Sequence, residues 1–92
     1  MRSSLTQPTV SAARIDVWLW AVRIFKTRSQ AADAVRAGHV KIDGKAVKPA
    51  QQVVPGETVR VWKDHREYIL EVTATVQKRV GAPVARTCYI DK

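Results

Sequence analysis

The stretch VKIDGKAV, residues 40–47, predicts the element around which the rest of the fold is arranged. Two short runs of strand-forming character, residues 40–42 and 45–47, flank the dipeptide Asp43-Gly44. Asp and Gly tolerate the positive φ angles that a type I′ turn requires at its two central positions. The stretch is therefore typical of a β-hairpin with a two-residue turn.

The sequence after this hairpin predicts two further strands and a short helix. Pro55-Gly56 forms a turn before residues 58–62, where polar and apolar side chains alternate. Residues 67–73 are rich in β-forming side chains and favour a fourth strand. Because proline suits the first position of a helix, residues 83–90 are interpreted as a short C-terminal helix.

The first element before the hairpin is predicted to be a helix over residues 14–24, because apolar side chains recur at a helical period. This core-facing stripe consists of Ile15, Trp18, Leu19 and Val22. A second apolar stripe lies on roughly the opposite side of the same helix, at Val17, Trp20 and Ile24. An uncovered stripe would be an aggregation liability on a small domain. We therefore expect the C-terminal segment around Val84 and Tyr89 to cover it.

A second helix is predicted over residues 28–37. Thr27, with Gln30 three residues later, is typical of a capping box, and Gly38 suits the left-handed stop at the other end. Two helices followed by strands give an α+β fold class. The expected architecture is a helical hairpin packed on a small antiparallel-rich β-sheet, with a short C-terminal helix.

Composition limits the classes of function. A chain of 92 residues has room for one modest core, and its net charge of +8 and pI near 10.3 favour a nucleic-acid partner. Cys88 is the only cysteine, which excludes an internal disulfide and a cysteine-based zinc site and is typical of a reducing cytoplasm. His39 and His65 lie too far apart in sequence to suggest a metal motif, and we expect no metal or other cofactor.

The N-terminal residues 1–13 are interpreted as a flexible tail. They are rich in Ser and Thr and lack the apolar run that a signal peptide needs. No stretch of the sequence approaches the roughly 18 apolar residues of a spanning helix, so no membrane partner is expected.

Basic residues concentrate between positions 14 and 48. This stretch contains eight basic and three acidic residues, so its net charge is +5. Arg23, Lys26 and Arg28 converge on the turn between the two predicted helices, and Ser29 adds a neutral donor. The start of a helix also favours phosphate, because its backbone N–H groups are free and its dipole is positive there. A solvated turn whose charges only maintain solubility is the alternative interpretation of this cluster.

Four segments together resemble the S4-type RNA-binding domain in order and spacing. They are RID at 14–16, KTRSQA at 26–31, GHVKIDG at 38–44 and VPGETVRV at 54–61. Within that family, WLW at 18–20, Arg23, KTR at 26–28 and Lys48-Pro49 are similar to the small ribosome-associated heat-shock proteins. We divide the chain accordingly into a tail, residues 1–13, an S4-type domain, residues 14–76, and a C-terminal extension that packs on it, residues 77–92.

The resemblance implies an S4-like fold and binding to ribosomal RNA on a free large subunit that still holds peptidyl-tRNA, in rescue or quality control of stalled subunits. Peptidyl-tRNA is a further expected partner, and the free protein is expected to be a monomer. The predicted RNA-binding residues are Arg14, Arg23, Lys26, Thr27, Arg28, Ser29, Arg36, His39, Lys41, Lys45 and Lys48.

Two other classes of function stay open at this point. An enzyme is disfavoured, because Cys88 has no base beside it in sequence and Asp16 and Asp33 are plausible ion-pair partners of nearby arginines. A protein-interaction adaptor would use the second apolar stripe of the first helix. The tryptophans could also stack on unpaired bases, although core packing is favoured for Trp18 and, less strongly, for Trp20 and Trp62.

Overall fold

The computed structural model describes residues 9–92, and its element order runs from the helices to the sheet, as predicted. Two helices, α1 (Ile15–Ala21) and α2 (Arg28–Arg36), pack against each other and against the sheet. A two-residue strand, β1 (Ala13–Arg14), precedes α1 and pairs antiparallel with β4 (Gln52–Val53). The sequence analysis did not predict this small two-stranded ladder.

The main sheet has five antiparallel strands in the order β3-β2-β5-β6-β7. Its strands are β2 (Val40–Ile42), β3 (Lys45–Ala46), β5 (Thr58–Lys63), β6 (Arg66–Val72) and β7 (Tyr89–Asp91). A short helix, α3 (Ala82–Ala85), lies between β6 and β7. The α+β fold class and the antiparallel sheet are therefore confirmed.

The predicted hairpin forms around the Asp43-Gly44 turn, whose φ angles are 50° and 81°. Asp43 also connects the hairpin to the next strand, because its backbone N–H donates to Thr58 at 2.8 Å and its carboxylate accepts from the Thr58 N–H at 2.9 Å. One side chain at the turn thus fixes both the hairpin and its register beside β5.

Helix α1 ends three residues earlier than predicted. Arg23 has a φ of 66°, a left-handed conformation that ends the helix, and Ile24 N–H then donates to the Leu19 carbonyl at 3.0 Å. The apolar period continues past this point, so periodicity alone could not locate the stop. The C-terminal prediction was also too helical, because only Ala82–Ala85 is helical and Tyr89–Asp91 joins the sheet beside β6.

Apolar side chains of α1, α2 and the inner sheet face form one core. Trp18 lies at its centre with no exposed surface, and its indole N–H donates to the Ala74 carbonyl at 2.9 Å. Core packing of Trp18 is therefore confirmed. Burying an indole is favourable only when its polar N–H finds a partner, and the carbonyl supplies that partner here.

The second stripe of α1 is partly covered. Val17 is only 8% exposed, but the ring of Tyr89 lies edge-on against Trp18 at 6.4 Å, not against Trp20. Trp20 is half-buried and is flanked by arginines. That the segment around Val84 and Tyr89 covers this stripe stays a prediction.

The two ends of the chain differ in how far the structure describes them. Residues 1–8 of the expected flexible tail lie outside the described residues. Val10 N–H, however, donates to the Thr75 carbonyl at 3.0 Å, and the Thr75 hydroxyl donates to the Val10 carbonyl. Ala13 is buried in β1. The division into an S4-type domain and an extension at residue 77 stays a prediction.

Candidate nucleic-acid interface

The turn between α1 and α2 presents four consecutive exposed residues, Lys26 to Ser29. Thr27 has an extended backbone, and its hydroxyl accepts the Gln30 N–H at 3.0 Å, so the predicted helix cap is confirmed. This bond satisfies one of the free N–H groups at the helix start and leaves others available. The arrangement can hold a phosphate oxygen at the positive end of the α2 dipole.

Arg23 stands at the same turn because of its backbone. Its left-handed φ reverses the chain direction after α1, and its side chain is exposed to solvent. Among residues 9–92, no ion pair involves Arg23, Lys26 or Arg28. All three charges therefore remain available to an anionic ligand, and we call them the turn cations.

Trp20 connects this turn to the C-terminal segment. The guanidinium of Arg28 lies 5.9 Å from the centre of the Trp20 ring, and that of Arg79 lies 5.8 Å from it. Arg79 also donates to the Lys26 carbonyl at 2.8 Å and to the Phe25 carbonyl at 3.5 Å. One indole ring thereby positions both arginines. Arg79 is a fourth cation beside the three turn cations.

Arg79 was not among the residues predicted from sequence to bind RNA. It lies about 50 residues after the turn, between the predicted fourth strand and the predicted C-terminal helix, and no local pattern connects the two segments. The basic pair Lys78-Arg79 was the signal that the sequence offered. In the structure, the next residue, Val80, is connected to the end of α1, since its backbone N–H donates to the Ala21 carbonyl at 3.1 Å.

Two of the predicted site residues are held in ion pairs. Arg14 makes two hydrogen bonds to Asp16, at 3.0 and 2.8 Å, and Asp16 is only 4% exposed. Arg36 pairs with Asp33 at 3.0 Å on the surface of α2. Since a partner carboxylate offsets each charge, Arg14 and Arg36 contribute less to a phosphate surface than the turn cations.

The β2–β3 hairpin carries a second group of exposed cations, Lys41 and Lys45, with Lys48 following it. Lys41 points away from the core, since Val40 and Ile42 on either side are buried, and it lies opposite Arg60 across β2 and β5. His39 is exposed at the end of α2, where its backbone N–H donates to the Ala34 carbonyl at 2.9 Å. Lys48 lies beside the start of α1, because Asp16 N–H donates to the adjacent Pro49 carbonyl.

The structure thus brings Arg23, Lys26, Thr27, Arg28 and Ser29 together at one turn, and His39 and Lys41 together at the other end of α2. Arg14 and Lys48 lie apart from the turn, at the start of α1. Which of these residues contact RNA stays a prediction.

Neither the cysteine nor the carboxylates form a catalytic or metal site. Cys88 is buried, and burial raises the pKa of its thiol, so the reactive thiolate is disfavoured. Within residues 9–92, no three His, Cys, Asp or Glu side chains come together as metal ligands. The same residues contain no helix that is long and apolar enough to cross a membrane.

Comparison with known proteins defines the class. The S4 domain family model matches residues 13–59, which include both helices, the β2–β3 hairpin and the start of β5. The chain therefore belongs to the S4 domain family, the RNA-binding family that the ordered motifs predicted. Membership of this RNA-binding family supports the prediction that the chain is not an enzyme.

Within that family, the chain is similar to heat shock protein 15. The heat shock protein 15 homolog of Aeromonas salmonicida is 38% identical over 81 residues, covering 88% of this chain and 61% of that protein. Heat shock protein 15 of Escherichia coli K12 is 33% identical over 76 residues, covering 83% of this chain and 57% of that protein. The chain thus spans about three fifths of the length of these relatives.

A solved structure supports the same relationship. The structure described as trimeric Vibrio cholerae heat shock protein 15 matches with a TM-score of 0.84 and 34% sequence identity, covering 88% of this chain and 82% of that one. The predicted S4-like fold is confirmed by this match. The expectation that this chain is a monomer when free stays a prediction.

Proposed function

We propose that this protein binds ribosomal RNA on the large ribosomal subunit and acts in rescue or quality control of stalled subunits that carry peptidyl-tRNA. The observation that carries the proposal is the convergence of Arg23, Lys26 and Arg28, all exposed and without ion-pair partners among the described residues, on the capped start of α2. Such a surface contacts a phosphate backbone without reading bases.

Membership of the S4 domain family favours structured RNA over other polyanions as the ligand. The turn cations lie inside residues 13–59, the part of the chain that matches the S4 domain. Similarity to heat shock protein 15 over most of the chain supports a stress-related role on the ribosome. A ribosomal target also implies a cytoplasmic location.

The adaptor alternative has less support. It requires an accessible apolar stripe on α1, but Val17 is only 8% exposed and two guanidinium groups flank the half-buried Trp20. The remaining exposed part of the stripe, at Ile24, is small. A partner protein would find little apolar surface there.

The test is sedimentation of the tagged protein through a gradient that separates ribosomal subunits. We expect recovery with the large subunit, strongest when peptidyl-tRNA is retained on it, and weak recovery with intact translating ribosomes. Treating the large subunit with puromycin, which releases the peptide from the tRNA, provides the matched control. Recovery with the small subunit, equal recovery in every fraction, or no recovery would contradict the proposal.

A further inference from the structure

Trp62 is exposed on the outer face of the sheet, contrary to the packing favoured from sequence. Its side chain is 49% exposed, whereas Val59 and Val61 on the same strand are fully buried. The alternation of β5 sends residues 60 and 62 outward, away from the helices. Trp62 is also fixed in place, since its backbone N–H donates to the His39 carbonyl at 2.8 Å.

A hollow of about 470 Å³ opens beside this indole. Its walls are formed by His39, Lys41, Arg60 and Glu67, with two glycines completing the rim. Lys41 and Arg60 are direct neighbours across β2 and β5, and Glu67 lies directly opposite Trp62 on β6. Arg60 is held by Glu67 at 3.3 Å, so its guanidinium is oriented at the edge of the hollow.

We propose that this hollow binds an unpaired nucleotide of the RNA, whose base stacks on Trp62 while the adjoining phosphate contacts Lys41 and Arg60. Lys41 has no ion-pair partner among residues 9–92, and an aromatic face beside such a cation suits a base and its phosphate together. Glu67 partly offsets the charge of Arg60, which contributes mainly N–H donors to the phosphate. A base inside a duplex has both faces covered by its neighbours, so it cannot stack on a side chain. The ligand is therefore a single-stranded or bulged residue, and the proposal rests on the RNA binding proposed above.

The Trp62 hollow and the hollow beside the turn cations lie on opposite faces of the end of β5. Lys63, the residue after Trp62, points to the opposite face of β5, where its ammonium lies 5.9 Å from the centre of the Phe25 ring. With Lys26 and Gln30 it lines a second hollow beside the α1–α2 turn. The end of β5 therefore contributes Trp62 to one hollow and Lys63 to the other, so Trp62 can be replaced without changing the turn cations.

The experiment compares two RNA probes, a blunt-ended hairpin and the same hairpin with a short single-stranded uridine extension. Binding is measured for the full chain and for Trp62→Leu, Trp62→Phe and Ile90→Ala. Leucine keeps an apolar side chain on the sheet but has no aromatic face, and phenylalanine keeps an aromatic face. Ile90, 50% exposed on β7 and opposite Glu71 on the same sheet face, provides the matched control for loss of an exposed apolar side chain.

We expect the unaltered protein to bind the extended hairpin more tightly than the blunt one. Trp62→Leu should bind the extended probe about 5-fold to 160-fold more weakly, the range set by one base–aromatic stack, with little change for the blunt probe. Trp62→Phe should retain most of the preference, and Ile90→Ala all of it. Thermal melts verify that each variant is folded.

The possible negative results separate an error in the stacking site from an error in the proposed RNA binding. If the unaltered protein binds both probes and Trp62→Leu binds the extended probe equally well, the stacking site is wrong while RNA binding stands. A uniform loss for both probes in Trp62→Leu would also contradict it, because a stack requires an unpaired base. If the unaltered protein binds neither probe, RNA binding itself is contradicted and the stacking site falls with it.

Discussion

The guanidinium of Arg79 lies 5.8 Å from the centre of the Trp20 ring and joins the C-terminal segment to the turn between the two helices. The same group donates to the Lys26 carbonyl at 2.8 Å, so it holds the backbone of the residue that carries a turn cation. The turn that carries the proposed RNA contacts is therefore positioned from a segment outside the part of the chain that matches the S4 domain.

Replacing Arg79 by alanine should lower both stability and RNA affinity. The change removes a charge-assisted hydrogen bond and a cation–π contact, and both are partly open to solvent, so we expect a loss of about 1–2 kcal/mol in the free energy of unfolding. Lys78→Ala is the matched control, because it removes the same charge from the neighbouring, exposed position. Equal melting temperatures for the two variants would show that Arg79 does not position the turn.

Truncation after Thr75 should prevent stable folding. The lost residues include Val76, Val80, Ala85 and Cys88, all 8% exposed or less, and the truncation also removes β7 from the edge of β6. Each buried apolar side chain that is lost leaves apolar surface open to water, at a cost of about 1–3 kcal/mol for a valine-sized side chain.

The measurement is a thermal melt followed by circular dichroism, with a truncation after Asp91 as the control that removes only the last residue. This experiment also tests the prediction that residues 77–92 pack on the domain. A cooperative melt at the temperature of the full chain, after truncation at Thr75, would contradict both.

Cys88 should resist alkylation in the folded protein. Its thiol is 2% exposed, and burial raises the pKa, so little thiolate is available at neutral pH. Since the unfolded chain releases this proton first as pH rises, the thiol also lowers the free energy of unfolding in the alkaline range. Iodoacetamide labelling followed by mass spectrometry should be much slower without denaturant than with it. Equal rates would show that Cys88 is accessible.

The sequence predicted most reliably those local elements that depend on a few residues adjacent in sequence. The Asp43-Gly44 turn and the Thr27 cap each depend on a few consecutive side chains, and both formed as predicted. Strands of two residues, such as Ala13–Arg14, have no periodicity to detect. The contact of Arg79 with Trp20 connects positions that are far apart in sequence, so only the folded chain reveals it.

The end of α1 and the exposure of Trp62 were also not predicted from the sequence. Apolar spacing continues to Ile24, but the left-handed Arg23 ends the helix, and arginine has no special preference for that conformation. The strand containing Trp62 was predicted correctly, and its alternation already places Trp62 on the face of Thr58 and Arg60, opposite Val59 and Val61. Packing was favoured because tryptophan is large and apolar, and the register of the strand was not applied to it.

We expect Arg23, Lys26 and Arg28 to contact the RNA backbone, and three single variants test this. Lys26→Ala and Arg28→Ala each remove one cation. Arg23→Gly removes the third and also relieves the left-handed backbone at φ 66°, so a loss of affinity in that variant cannot be attributed to lost stability. Arg86→Ala, an exposed cation on the C-terminal segment, is the matched control for net charge.

Thr27→Ala serves as a control for the fold of the turn. It removes the hydrogen bond that caps α2 and should cost about 1 kcal/mol of stability without removing a charge. Its affinity should therefore depend on salt almost as steeply as that of the unaltered protein.

The most direct measurement is RNA affinity against salt concentration for these variants, with thermal melts beside it. Each turn-cation variant should weaken binding of different RNAs about equally and lower the slope of log affinity against log salt by somewhat under one unit, because about one fewer phosphate is neutralised. Arg86→Ala should leave the slope nearly unchanged. Unchanged affinity and slope in all three folded turn-cation variants would contradict the site and direct attention to Arg60, Lys63 and Arg66 instead.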